Sequence, residues 1–189
     1  DRPSVSLQSV GRSGLGPSSS VADPHRHLHM IGEQRLDAQV VDEQRQQVGI
    51  RSVELDQSPD TDEPGTRFFR FVLNGVPIFA KGANWIPADS FVASIHDERY
   101  ERLLTRARDA NMTMLRIWGG GIYEHDIFFQ LCDRLGILVW LDFMFACAMY
   151  PEHDPAFVKE VEAEARYQVR RLRSHPSLAL WCGNNENQW

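Results

Sequence analysis

Near its end the chain reads WCGNNENQW, and the carboxylate in that stretch, Glu186, is the residue around which chemistry is easiest to build. A carboxyl group among apolar and aromatic neighbours has its charged form disfavoured, so it can keep its proton and act as a general acid. Asn184, Asn185 and Asn187 flank it. Amides both donate to and accept from hydroxyls, which suits a sugar. Cleavage of a glycosidic bond takes two carboxyl groups, one to protonate the leaving oxygen and one to attack or to activate water. The same stretch also reads as a polar turn with helix-capping groups.

The tryptophans point the same way. Trp85, Trp118, Trp140, Trp181 and Trp189 fall on or near the ends of apolar runs. An indole offers an apolar face for the C–H side of a pyranose ring and an N–H as a polar handle. Trp140 and Trp181 lie inside their runs and read as core, whereas Trp85 and Trp118 follow theirs and are better placed to meet a ligand. After Trp118 come Gly119, Gly120 and Gly121, which let a backbone approach a ligand closely; a phosphate cradle would need a GxxxxGK[ST] pattern that is absent. Asp142 follows a buried run and can bind a hydroxyl or balance Arg116 as a buried ion pair.

Other residues carry less. Glu124 and His125 after the glycines have no third metal ligand in register. His25, His27 and His29 alternate, but no acid or cysteine follows at ligand spacing. Cys132, Cys147 and Cys182 are odd in number, form no CxxC pair and sit in apolar runs, where a thiol packs as a small hydrophobe. No metal and no cofactor are expected.

The elements that must position these residues emerge from Phe68 onward. FFRFVL and VPIFAKG flank Asn74-Gly75, a hairpin signal. A helix is expected after Asp97, with Tyr100, Leu103, Leu104 and Ala107 on one face. A buried strand follows at 112–118, a helix at about 125–135 stopped by Gly136, a strand at 137–143, a helix at about 155–174 with Val158, Val161, Ala165, Val169 and Leu172 inward, and a strand at 178–182. With 78–82 as the first strand, the order is β-α-β-α-β-α-β, which implies parallel strands with crossover helices. Polar and glycine-rich clusters come just after the strands: Asn84-Trp85, the WGGG run, Asp142 and Asn184-Asn185-Glu186. In a (β/α)8 barrel all four converge on one mouth. The expected fold is therefore α/β, the first half of a (β/α)8 barrel. The apolar loop FMFACAMYP reads as a core plug before it reads as a binding wall.

Before that half barrel, residues 1–32 read as irregular, because they bury too little to offset their ordering entropy. Residues 33–65 read as a β segment and linker. VGIRSVEL alternates like the last strand of a sandwich domain, and QSPDTDEPGT is the linker. Residues 66–189 are the half barrel. The formal net charge is −6, with no basic patch fit to neutralise a phosphate backbone, which argues against nucleic acid. No apolar run reaches the roughly 18 residues that span a bilayer, so no membrane partner is expected. Free cysteines are compatible with a reducing compartment, and a cytoplasmic location is expected.

Four stretches, GVPIFAKGANWIPADSF, ARDANMTMLRIWGGGIYE, LGILVWLDFMFACAMYP and HPSLALWCGNNEN, together resemble β-mannosidases of glycoside hydrolase family 2. The resemblance covers about residues 68–189, in order, and VGIRSVEL resembles the segment that ends a sandwich domain before the barrel. It implies a retaining mechanism on terminal β-D-mannosides, with a β-mannoside oligosaccharide as substrate. Glu186 would be the acid/base, Asn185 would contact the sugar 2-hydroxyl, Trp118 would line the glycone subsite, and Trp85 and Asp142 would lie close by. The family's nucleophile, a glutamate on the seventh barrel strand, lies beyond this chain, so the chain alone is expected to be inactive. The WGGG run, in place of a histidine-containing motif, favours mannosidase over β-glucuronidase or β-galactosidase. The remaining alternative is a non-catalytic carbohydrate-binding half barrel, completed by pairing with a second copy.

Overall fold

The computed structural model describes residues 4–8, 27–36 and 39–187, with side chains from Gly49 onward. Trp189 and His25 lie outside the described residues, and His27 and His29 outside the described side chains. Two compact units divide after residue 51.

In the first unit, β1 (Ser4–Gln8), β2 (His27–Leu36) and β3 (Gln39–Gly49) form an antiparallel sheet in that order. Strands thus occupy parts of a stretch in which side-chain pattern predicts irregular chain. Ladder hydrogen bonds come from the backbone and do not need that pattern. VGIRSVEL is also not one strand, because β3 ends at Gly49 and the next strand starts at Val53.

The second unit opens with an antiparallel sheet of β4 (Val53–Asp56), β5 (Arg70–Leu73) and β6 (Val76–Ile78). Asn74 and Gly75 turn the hairpin with φ of 50° and 79°, the left-handed pair that matches strand twist. Asn74 Oδ1 also accepts from Ser52 N at 2.9 Å, stitching β4 to the turn. Ile78 therefore belongs to the hairpin, and the first parallel strand is β7 (Gly82–Trp85) rather than residues 78–82.

Four parallel strands follow: β7, β8 (Met114–Ile117), β9 (Leu138–Asp142) and β10 (Leu178–Cys182), adjacent in sequence order. Helices α1 (Asp97–Asp109), α2 (Asp126–Leu135) and α3 (Pro155–Leu172) connect them. Each has local reasons to start or stop. Asp97 and Glu98 open α1 and Arg106 and Arg108 close it, complementing the helix dipole. Gly136 ends α2 with φ 74°. The Asp154 side chain caps α3 by accepting from Ala156 N at 2.8 Å, with Pro155 in the first turn.

The strand alternation divides the sheet into two faces. Leu115 and Ile117 of β8 and Val139 and Leu141 of β9 pack with Tyr100 and Leu104 of α1, Phe128, Phe129, Leu131 and Cys132 of α2, and Leu172 of α3. Their neighbours Met114, Arg116, Leu138 and Trp140 belong to the opposite face. There Met114 and Leu138, the first residues of their strands, pack with Phe71 of β5. The hairpin sheet thus covers the N-terminal ends of the strands on this face. A cavity of about 370 Å³ lies on this face, lined by Phe71, Asn84, Met114, Arg116 and Trp140 among others. Helix α3 departs from expectation. Leu172 is buried and Val161, Ala165 and Val169 are half-buried, but Val158 is 46% exposed.

Candidate active site at the C-terminal ends of the strands

Asp142, the last residue of β9, is fully buried. Arg116 lies on the adjacent strand, in register with Trp140. Its Nε donates to Asp142 Oδ1 at 3.1 Å and its Nη2 to Oδ2 at 2.7 Å, a two-pronged ion pair. Trp140 Nε1 donates to Oδ1 at 3.0 Å and Gly119 N to Oδ2 at 3.1 Å. A carboxylate offers about four acceptor positions, and all are used by protein. Of the two readings open for Asp142, this geometry supports the ion pair, and it leaves no acceptor position for a direct hydroxyl contact.

Arg116 Nη2 also reaches Asn185, donating to Oδ1 at 2.9 Å. Asn185 follows β10 and is 8% exposed. Its backbone is pinned to the loop after β9: Asn185 N donates to Phe145 O and Cys147 N to Asn185 O, both at 2.9 Å. This short parallel bridge pairs Ala146 with Asn185. It brings Cys147 Sγ beside two polar side chains. Asn185 Nδ2 donates to the sulfur at 3.4 Å, and the thiol faces Glu186 Oε2 at 3.9 Å. Both Cys147 and Glu186 have left-handed backbones, with φ of 52° and 53°. Non-glycine residues adopt that conformation at a cost, and such residues cluster at functional sites. Glu186 is exposed. The burial that sequence reasoning invoked to keep it protonated is not supplied by the described residues.

Trp118 is half-buried and follows β8, its backbone N–H donating to Trp85 O at 3.1 Å. Its indole lies over Gly120, where an added Cβ would sit 2.0 Å from the ring. At Gly119 a Cβ would come within 2.7 Å of the carbonyl oxygens of Phe143 and Phe145. The glycines thus permit close approach of the protein's own backbone and of Trp118.

Trp85 is elsewhere. Its ring packs on Phe128 at 4.9 Å and on Tyr100 at 6.4 Å, on the helix side of the sheet. Its Nε1 donates to Glu124 Oε1 at 2.9 Å, and Tyr100 OH donates to Oε2 at 2.5 Å. Glu124 is 1% exposed, and its two donors explain how a buried carboxylate is tolerated without a metal ligand's role. Burial and the Glu124 hydrogen bond both push the Tyr100 phenol well above its usual range. The structure thus brings Asp142, Asn185 and Glu186 together, with Trp118 adjacent through Gly119, and does not bring Trp85 to them.

Sequence reasoning missed two members of this group. Trp140, read as core, donates to Asp142; its position two residues earlier on the same strand, hence on the same face, was the available signal. Cys147, read as a packing thiol, is exposed. Only the fold could show its neighbours. Cys132 is the buried thiol, and burial raises its pKa. Of the apolar loop after β9, Met144 joins the core, Phe143 stacks on Trp181 at 5.3 Å, and Met149 is 88% exposed. Among the described residues no three His, Cys, Asp or Glu side chains cluster as a metal site, and no helix is long and apolar enough to cross a membrane.

No protein-family model matches the chain. Individual relatives do. The β-mannosidase of Rattus norvegicus is 51% identical over 170 residues, which is 87% of this chain and 19% of that protein. β-Mannosidase B of Thermothelomyces thermophilus is 46% identical over 147 residues, 78% of this chain and 17% of that one. Among solved structures, the β-D-mannosidase of Dictyoglomus thermophilum aligns with a TM-score of 0.78 at 46% identity, covering 87% of this chain and 22% of that chain. A β-glucuronidase of Parabacteroides merdae aligns with a TM-score of 0.72 at 20% identity, covering 87% of this chain and 19% of that one, and shares the fold alone. The chain spans about a fifth of the length of the curated relatives it matches. Over most of its own length, this chain is a homologue of the β-mannosidases.

Proposed function

We propose that this chain is the acid/base-bearing first half of a (β/α)8 barrel in a retaining glycoside hydrolase that releases terminal β-D-mannose. Support for the barrel comes from the strand order. Four parallel strands lie side by side in sequence order, with no point at which the order reverses, as a doubly wound sheet requires. The helices cover one face, and the other face would form the barrel interior.

One observation carries the catalytic reading: Asn185 and Glu186 stand just past β10, tied by Arg116 and the loop after β9 to the C-terminal ends of the neighbouring strands. Active sites in such barrels form at those ends. In this reading Glu186 protonates the leaving oxygen and later takes a proton from water. Asn185 contacts the 2-hydroxyl and Trp118 lines the sugar pocket. The second carboxylate, the nucleophile, belongs to the part of the relatives' length that this chain does not span. Closing the barrel would also supply the covering that Glu186 lacks among the described residues.

The test is hydrolysis of a chromogenic β-mannoside by a protein of the relatives' full length that carries this segment. Turnover is expected, and Glu186→Gln should lower it by roughly a hundredfold or more. The isolated 189-residue chain should show none. Full activity in Glu186→Gln, or none in the unmodified protein, defeats the reading.

A further inference from the structure

Arg116 joins two side chains that sequence alone leaves unconnected. Its guanidinium carries only donors, so the atom of Asn185 that faces it must be the amide oxygen, at 2.9 Å. The amide nitrogen then has to point the other way. It does, giving one hydrogen to the weak acceptor Cys147 Sγ at 3.4 Å. The second hydrogen remains for a ligand. Asn185 is thereby polarised: its oxygen is committed to Arg116, and its nitrogen is the group left with a hydrogen to give.

What holds Arg116 in this pose is Asp142. Both of its oxygens receive two donors, Arg116 Nε and Trp140 Nε1 on one, Arg116 Nη2 and Gly119 N on the other. We propose that Asp142 is a positioning residue that acts through Arg116 to orient the Asn185 amide, so that the enzyme recognises the sugar 2-hydroxyl as an acceptor of the Asn185 N–H. This rests on the hydrolase reading above. Asparagine at position 142 cannot substitute. Whichever oxygen became NH2 would face two donors with a donor. Lysine at 116 could still pair with Asp142 but has no planar fork to hold Asn185 at the same time.

The experiment uses the protein of the relatives' full length carrying this segment. It compares kcat/KM for an aryl β-mannoside and for its 2-deoxy counterpart, in the unmodified protein, Asp142→Asn and Arg116→Lys, with thermal unfolding recorded for each. The unmodified protein should prefer the 2-hydroxyl substrate. Each variant should shrink that preference by about tenfold or more, mostly by losing kcat/KM on the hydroxylated substrate. A merely structural role lowers both substrates in proportion and leaves the ratio alone. An unchanged ratio in a folded, active variant overturns the inference. If Asp142→Asn does not fold, Arg116→Lys decides. Hydrolysis that depends on Glu186 but shows no change in ratio leaves the hydrolase reading standing and removes only the positioning role. Absence of hydrolysis in the unmodified protein removes both.

Discussion

The indole N–H of Trp85 ends on the carboxylate of Glu124, 2.9 Å away and 39 residues later in the chain. This bond fastens the C-terminal end of β7 to the segment that leads into α2. Tyr100 of α1 completes the knot on the other oxygen. Trp85→Phe keeps the packing on Phe128 but leaves Glu124 Oε1 without its donor. A loss of about 1–3 kcal/mol in urea unfolding is expected, with little change of KM for an aryl β-mannoside in the full-length hydrolase proposed above. A large rise in KM with unchanged stability would instead place Trp85 against substrate.

The same knot gives stability an alkaline limit. The Tyr100 phenol is raised above its unfolded value, so its contribution is complete below about pH 10, the unfolded value, and is lost as pH rises towards the folded value. Between those limits the unfolded chain ionises while the folded one does not. Unfolding midpoints recorded from pH 8 upward should therefore fall above about pH 10, and Tyr100→Phe should flatten that fall. An identical slope in both proteins would show that Tyr100 is not the cause.

Gly119 is tightly enclosed at the end of β8. A methyl group there meets two carbonyl oxygens at 2.7 Å, and the backbone N–H that Asp142 accepts would have to move. Gly119→Ala should cost about 1–3 kcal/mol of stability. Gly183, where an added Cβ meets nothing within 4 Å, is the control. Gly183→Ala should be close to neutral, and equal effects at the two positions would contradict the packing described.

Thiol labelling offers a readout that needs no activity. Cys147 is exposed, Cys182 is half-buried with its Sγ bonded to Asn184 O at 3.4 Å, and Cys132 is buried with its thiol held protonated. A disulfide reagent under native conditions should modify Cys147 first and Cys132 only as the protein unfolds. Peptide mapping after brief exposure checks the order. Early labelling of Cys132 would mean that the α2 core opens readily.

Leaving-group dependence probes Glu186 directly. A general acid matters most when the departing oxygen is basic. In the full-length hydrolase proposed above, Glu186→Gln should therefore be far more damaging for an alkyl β-mannoside than for a nitrophenyl one, with the disparity roughly tenfold or more. Equal losses would assign Glu186 a role other than proton donation.

Much of the second unit was legible in advance because the signals are local. Asn74-Gly75 demanded a left-handed turn and formed one. The helix around Tyr100 and Leu104, the stop at Gly136 and the strand at 178–182 fall where periodicity and punctuation set them. The misplaced element was the first parallel strand. VPIFAKG carries the β signal, but Val76–Ile78 is taken by the hairpin, and the sheet instead uses GANW, a stretch with weak β propensity held by its neighbour β8. The inward face given to Val158 also differed, since a helix buries only what its partners cover, and few described residues cover that end of α3.

By itself, then, the sequence determined the alternation of strands and helices, the hairpin, and the placing of Asn185, Glu186, Asp142 and Trp118 at or just past strand ends, because spacing along the chain fixes which residues share a face or follow an element. Tertiary structure alone decided which polar groups meet. It gave Trp85 to Glu124, filled every acceptor position of Asp142, turned the Asn185 amide and set Cys147 beside Glu186. A hydrogen bond depends on the distance and direction of atoms from separate elements, and that information exists only once the elements have packed.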